Sequence, residues 1–417
     1  ETHPIRFVPQ AENENWGGIE ILEGSQPIVL SHVEIVGGGS YCLKSQRDMD
    51  LRNITISDCA GGALAMSGST LSVEDFRFQD SGGSTNVHIS GQTTIASFQA
   101  GIYSSLCSTE FYSTARATLL FLDVSMVPRG SSRYSDAMFF SGSTGIDITS
   151  VVINTIGYRP RSLIYVTGNS VLEFVKVLNS SFSFDQISER AIQIFGDFSL
   201  TNVSFDSVAI EGGTSRGLAY LRGQVVNVNG VELLGVFTSY AGFEVYAKEN
   251  ATIAGLNMLD STCRRHCVDV RALTFAEVAN NTVSRTEVDL PYSIFDLAAD
   301  DLIVNDNVIE SSVSGYGGIQ ISSAKQSLDI QRNTVANVSS LDYVVLTSIQ
   351  TSAGTLGVLE IGLNFWGTTS FDELRDRIFD GLVDIELELI QINSISADES
   401  FETVLEAPPP GSMLDLV

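Results

Sequence analysis

Three carboxylates pose the first chemical question. Glu244, Asp269 and Asp296 stand 25 and 27 residues apart, each flanked by apolar neighbours: Phe243 and Val245, Val268 and Val270, Phe295 and Leu297. Apolar–polar–apolar alternation marks a strand with one buried face. The spacing places the three acids on consecutive strands of a stack, with Cα atoms about 5 Å apart. Carboxylates that close repel unless a proton or a cation relieves them, and calcium accepts such oxygen ligands. The same pattern is equally met by three solvated acids in a chain with 50 acidic residues. Tyr165 and Tyr220 fall on the same outward column two strands apart and offer ring faces to a sugar. The cluster Cys263-Arg264-Arg265-His266-Cys267 contains zinc-type ligands but no evident fourth one. Asp300 and Asp301 sit at a corner before a strand, the usual place of a solvated turn.

The elements that would position these groups recur throughout the chain. A phrase of the form apolar-x-apolar, turn, apolar-x-apolar returns about every 21 to 28 residues. Its anchors include Leu30, Leu51, Val73, Leu200, Val228, Ile253, Val278, Val304 and Ile330. Three residues after each anchor stands an apolar residue, and from Asn281 onward an asparagine: Asn281, Asn307, Asn333 and Asn364. Such a period signals a solenoid, whose repeats bury their faces only against their neighbours. Parallel strands ordinarily need long crossovers, and no strong helical periodicity appears before Ser370. Short strands must therefore form the return path themselves. The expected fold is all-β: a right-handed parallel β-helix of three sheets, with about fourteen rungs and a length of roughly 65 Å at the ~4.8 Å strand spacing. The asparagine column fits a ladder of side-chain amides bonded to backbone at one corner; asparagine also suits turn geometry in its own right. Phe371, Leu374, Ile378 and Leu382 recur at helical spacing. Ser370 and Glu373 form a capping box, which predicts a helix over about 370–382 closing the open core. The β-helix with its cap is expected over 1–390, with 391–417 as a C-terminal extension or linker. The lead-in PIRFV, strand-like from the start, is expected to continue an upstream segment.

Composition narrows the partners. The formal net charge is −27, and the lysines number four: Lys44, Lys176, Lys248 and Lys325. Nucleic acid is excluded as a partner, since phosphate binding needs a basic face. No stretch approaches the ~20 apolar residues of a membrane span.

The cysteines share corner phases. Cys59 and Cys263 fall at one position of the repeat, and Cys42 and Cys267 at another. That register favours disulfides Cys42–Cys59 and Cys263–Cys267 in an oxidising compartment, with buried thiols as the alternative and Cys107 left over. Sequons occur at Asn53, Asn179, Asn202, Asn250, Asn280 and Asn337. Asn53, Asn202 and Asn280 are read as lying near inward positions. Asn179, Asn250 and Asn337 then remain as glycan candidates, with Asn250 in the loop KENAT the best placed.

Both ends carry a resemblance. THPIRF with ENWGGIEI resembles the opening of extracellular β-helix modules, and LNFWGTTSFDELRDRIFDG resembles their closing segment. The residues carrying the latter are Asn364, Phe365, Trp366, Gly367 and Thr368, then Arg377, Ile378 and Asp380. The resemblance is to the pectin-lyase-like superfamily, and within it to modules of large cell-surface proteins of the bark beetle type and of microbial surfaces. It implies a secreted or cell-surface protein in which the module is architectural, a rigid spacer and interaction surface for adhesion, a matrix or a filament. Expected partners are flanking domains, other chains, copies of itself, or glycans. Many β-helix enzymes cleave acidic polysaccharides, so a carbohydrate-binding or polysaccharide-degrading module is the alternative. Of the polygalacturonase-type phrases only Asp300-Asp301 has a counterpart, while Gly-His-Gly and Arg-Ile-Lys have none. The expectation is a non-enzyme without cofactor, apart from the calcium option at Glu244, Asp269 and Asp296.

Overall fold

The computed structural model describes residues 4–10, 16–24, 26–81, 85–89, 94–104, 108–112, 117–126, 138–141, 146–158, 164–167, 170–183, 192–206, 208–211, 217–289, 291–315, 317–340, 345–347, 358–375, 378–379, 389–392 and 394–406. The chain is a parallel β-solenoid with one short helix. The expected total of about fourteen rungs counts anchors that fall partly outside the described residues. The chain divides into two compact units, Glu1–Gly223 and Gln224–Val417.

In the first unit the outward column of the first strand runs in register from rung to rung. Glu20 pairs with Lys44, Lys44 with Ala65, and Ala65 with His88. Further on, Tyr165 pairs with Gln193 and Gln193 with Tyr220. The anchor strands stack likewise, with Leu30 on Leu51 and Leu51 on Val73. Their inward residues Leu51, Ile54, Ile56, Val73 and Phe76 are buried. The first strand, Ile5–Phe7, lies on Val33–Ile35 and is exposed on its own residues.

The second unit repeats the scheme with shorter elements. Ile253, Val278, Val304 and Ile330 stack in consecutive rungs. The asparagine ladder is present as expected: Asn281, Asn307, Asn333 and Asn364 are all fully buried. Each amide nitrogen donates upward to a backbone carbonyl, Asn281 to Ile253 at 3.1 Å, Asn307 to Val278 at 2.8 Å and Asn333 to Val304 at 2.6 Å. Each amide oxygen accepts from a backbone N–H one rung away, as Asn333 Oδ1 does from Asn307 at 3.0 Å. The amides also bond each other, at 2.8–2.9 Å. An interior corner is thereby satisfied without water.

Two residues beyond each anchor the backbone turns through positive φ: His32, Asn53, Asp75 and Asn202 in the first unit, then Gly230, Gly255, Asn280, Asp306 and Arg332 in the second. This left-handed position is what bends strand into strand. Glycine, asparagine and aspartate recur there because they tolerate it.

The C-terminal end departs from expectation in two respects. Among the described residues the helix spans Phe371–Arg375, and Ile378–Phe379, within the expected helix 370–382, is a strand paired with Val345 and Leu346. The cap still forms, with Glu373 N–H donating to Ser370 Oγ at 3.2 Å. The Glu373 carboxylate, however, accepts from Thr368 Oγ1 at 2.8 Å. Trp366 and Leu374 are buried beneath this end. The segment read as a linker is partly folded. Leu389–Ile392 pairs with Val358–Ile361, and Ser394–Ser396 forms an antiparallel hairpin with Val404–Glu406.

Candidate functional site

The three acids are brought together as their spacing indicated. Glu244 pairs with Asp269 and Asp269 with Asp296, on the strands Phe243–Ala254, Val268–Ala272 and Ser293–Asn305. They are not solvated: Glu244 is 3%, Asp269 8% and Asp296 4% exposed. Arg271 lies against two of them. It lies two residues beyond Asp269 and so on the same face of its strand. Its Nε donates to Asp269 Oδ1 at 2.9 Å and its Nη2 to Asp296 Oδ2 at 3.3 Å. The guanidinium occupies the place expected for a cation. Among the described residues no group of three His, Cys, Asp or Glu is arranged to hold a metal ion. The calcium option at Glu244, Asp269 and Asp296 thus meets a cluster in which Asp269 and Asp296 already share a guanidinium.

His266 completes the cluster. Its Nδ1 is held by Ser293, 3.1 Å from Oγ, 3.2 Å from the carbonyl oxygen and 3.3 Å from the backbone nitrogen. Nε2 faces Asp296 Oδ2 at 3.4 Å. Burial lowers the imidazole's pKa against the pull of Asp296 and Asp269. Burial raises that of Asp269, with Arg271 opposing. Ser322 donates its hydroxyl to Asp296 Oδ1. Beside the cluster, Tyr292 meets the His266 ring edge-on at 5.1 Å, and the Arg265 guanidinium lies 4.0 Å over the Tyr240 ring and 5.3 Å from that of Tyr292.

Tyr165 and Tyr220, on the first unit, are half-buried and share a partner. Phe195 lies with its ring centre 5.6 Å from Tyr165 and 5.7 Å from Tyr220. Elsewhere on that unit's first-strand sheet, Tyr41, Lys44, Met66 and His88 line an open depression of about 290 Å³. There Lys44 is bonded to Glu20 at 2.8 Å.

The cysteines divide. Cys42 and Cys59 are joined, as their phase indicated. Cys263 and Cys267 are buried thiols, not the expected disulfide. The two are hydrogen-bonded, and burial pushes the Cys267 thiol well up, away from the thiolate that exchange requires. His266, between these two cysteines, is turned to Ser293 and Asp296. Cys107 and the side chain of Asn179 lie outside the described residues, while Asn250 and Asn337 are exposed.

Arg271 was missed in the sequence, though the i, i+2 spacing from Asp269 places it on the acid column. Phe195 carried a comparable signal, two residues beyond Gln193. His266 gave none, because its approach to Asp296 depends on a corner. No family model, no curated protein and no solved structure matches the chain. No helix among the described residues is long and apolar enough to cross a membrane.

Proposed function

We propose that the chain is a non-catalytic β-helical module of a secreted or cell-surface protein, related to the pectin-lyase-like superfamily. It serves as a rigid spacer and as an interaction surface for flanking domains, other chains or further copies of itself. The observation that carries this reading is the closure of its most reactive cluster. Asp269 and Asp296, the natural acid and base of a first-strand sheet, are both engaged by one guanidinium. Glycoside hydrolysis needs one free carboxyl to donate a proton and a second to receive one or to attack. The Cys42–Cys59 bond supports an oxidising compartment. Neighbouring rungs are also tied externally, by Arg285 to Asp260 and by Arg332 to Asp306 at 2.6–2.8 Å. Such exposed pairs add little stability but hold the corners in register.

A second reading rests on a different observation. The perturbed pair His266 and Asp269, with Arg265 against Tyr240 and Tyr292, has the make-up of a carbohydrate-active site. Tyr165, Phe195 and Tyr220 form an aromatic surface of the sugar-stacking kind on the first unit. A screen against pectate, polygalacturonate, alginate and neutral glycans separates the two readings. No turnover and self-association or partner capture support the module. Turnover abolished by Asp269→Asn overturns it.

A further inference from the structure

The left-handed corners carry a chemical pattern that the strand register alone does not explain. Asn53, Asn202, Asn280 and Asn337 are the asparagines with positive φ among the described residues, at 52°, 51°, 56° and 53°. All four are exposed. The first three belong to the corner two residues past the anchor, and so do not lie inward as the sequence suggested. All four are followed at the second position by Thr or Ser: Thr55, Ser204, Thr282 and Ser339. Turn geometry accounts for asparagine at these corners but not for the hydroxyl two residues on. The other non-glycine residues of the solenoid corners test this. His32, Asp58, Asp75, Arg285, Asp306 and Ser311 are followed by Glu34, Ala60, Arg77, Glu287, Val308 and Val313, and a Thr follows only Asp260 and Arg332. The buried ladder asparagines, in the same rungs, lack the pattern: Asn281, Asn307 and Asn333 are followed by Val283, Ile309 and Val335.

We propose that Asn53, Asn202 and Asn280 are N-glycosylation sites, joining Asn337 as corner acceptors. This rests on the secretory reading above. In the transfer the Asn Nδ2 attacks C1 of a lipid-pyrophosphate-linked oligosaccharide. The Nδ2–C1 bond forms, the C1–O bond to the pyrophosphate breaks, and the amide proton leaves with the lipid pyrophosphate product. The fold accepts the result without rearrangement. A left-handed corner turns the amide into solvent, clear of the strand hydrogen bonds, whereas a sugar on Asn281 or Asn333 would have to enter the core. The glycans would cover corners and leave the sheet faces open for contact.

The test is expression of the full chain behind a secretory leader in a eukaryotic host. Deglycosylation by a peptide amidase in heavy-oxygen water and peptide mass spectrometry follow, on both the secreted and the retained pools. Labelled aspartate is expected at positions 53, 202 and 280, each lost singly in Thr55→Ala, Ser204→Ala and Thr282→Ala. Secreted protein with the Cys42–Cys59 bond intact and these three asparagines bare overturns the inference and leaves the extracellular reading standing. Absence of secretion and of that bond counts against the extracellular reading instead. The inference is then still judged on the retained pool, since transfer precedes folding: label there supports it, and bare asparagines overturn it.

Discussion

Replacing Asn333 by Leu isolates the worth of the asparagine ladder. The two side chains have nearly the same shape, with methyl groups in place of the amide oxygen and nitrogen, so no cavity is opened. Five groups lose a bond, among them the Asn307 side-chain amide at 2.9 Å and the Gln331 carbonyl at 3.3 Å. The Asn307 backbone N–H loses its acceptor at 3.0 Å, the Val304 carbonyl a donor at 2.6 Å, and Asn364 Oδ1 one of its two donors at 2.9 Å. An orphaned buried N–H costs about 1–3 kcal/mol, and each weakened acceptor about 0.5–1.5 kcal/mol. Burial of a leucine where an amide stood offsets roughly 1–2 kcal/mol. The net loss expected is about 1–3 kcal/mol, read as a lowered urea midpoint with unchanged slope. Asn250→Leu, on an exposed strand position, is the control and should stay within about 0.5 kcal/mol of the parent. If Asn333→Leu matched that control, the ladder would be a by-product of turn preference and not a source of stability.

Further outcomes follow from the same cluster and corners. His266 has a lowered pKa, so the folded chain binds fewer protons than the unfolded one between its folded value and the ordinary 6.5. Stability should therefore fall as the pH drops through about 6.5. His266→Gln should flatten that part of the profile; an unchanged slope would mean the imidazole is not buried neutral. Arg271→Gln removes the main group opposing desolvation at Asp269, and its carboxyl should titrate still higher by NMR; a downward move would refute the assigned geometry. Alkylation of the native, non-reduced chain should spare Cys263 and Cys267 until it is unfolded, and then modify both, while Cys42 and Cys59 react only after reduction. Breaking the Cys42–Cys59 bond, which closes a 17-residue separation, should cost about 3 kcal/mol.

The solenoid was legible in the residues because its determinants are local and repeated. Period-two alternation around Val268, Val270, Phe295 and Leu297 fixes which face is buried, and the recurring anchors fix the stacking of Ile253, Val278, Val304 and Ile330. The same regularity placed Asn333 in a buried column and Asp269 beside Asp296. What the sequence left open were the properties that depend on what covers an outward residue. Asp269 reads as a surface acid until Arg271 is laid across it and His266 is brought round a corner from the preceding turn. Cys263 and Cys267 share a phase with a bonded pair, yet their sulphurs remain thiols in a dry interior. Asn53 and Asn281 are both asparagines next to an apolar anchor. One residue of offset, with the change from positive φ to an inward-facing position, puts the first in water and the second in the core. Repetition writes the stack into the sequence, but burial, protonation and exposure at the corners arise from contacts between rungs some 25 residues apart, which only the folded chain assembles.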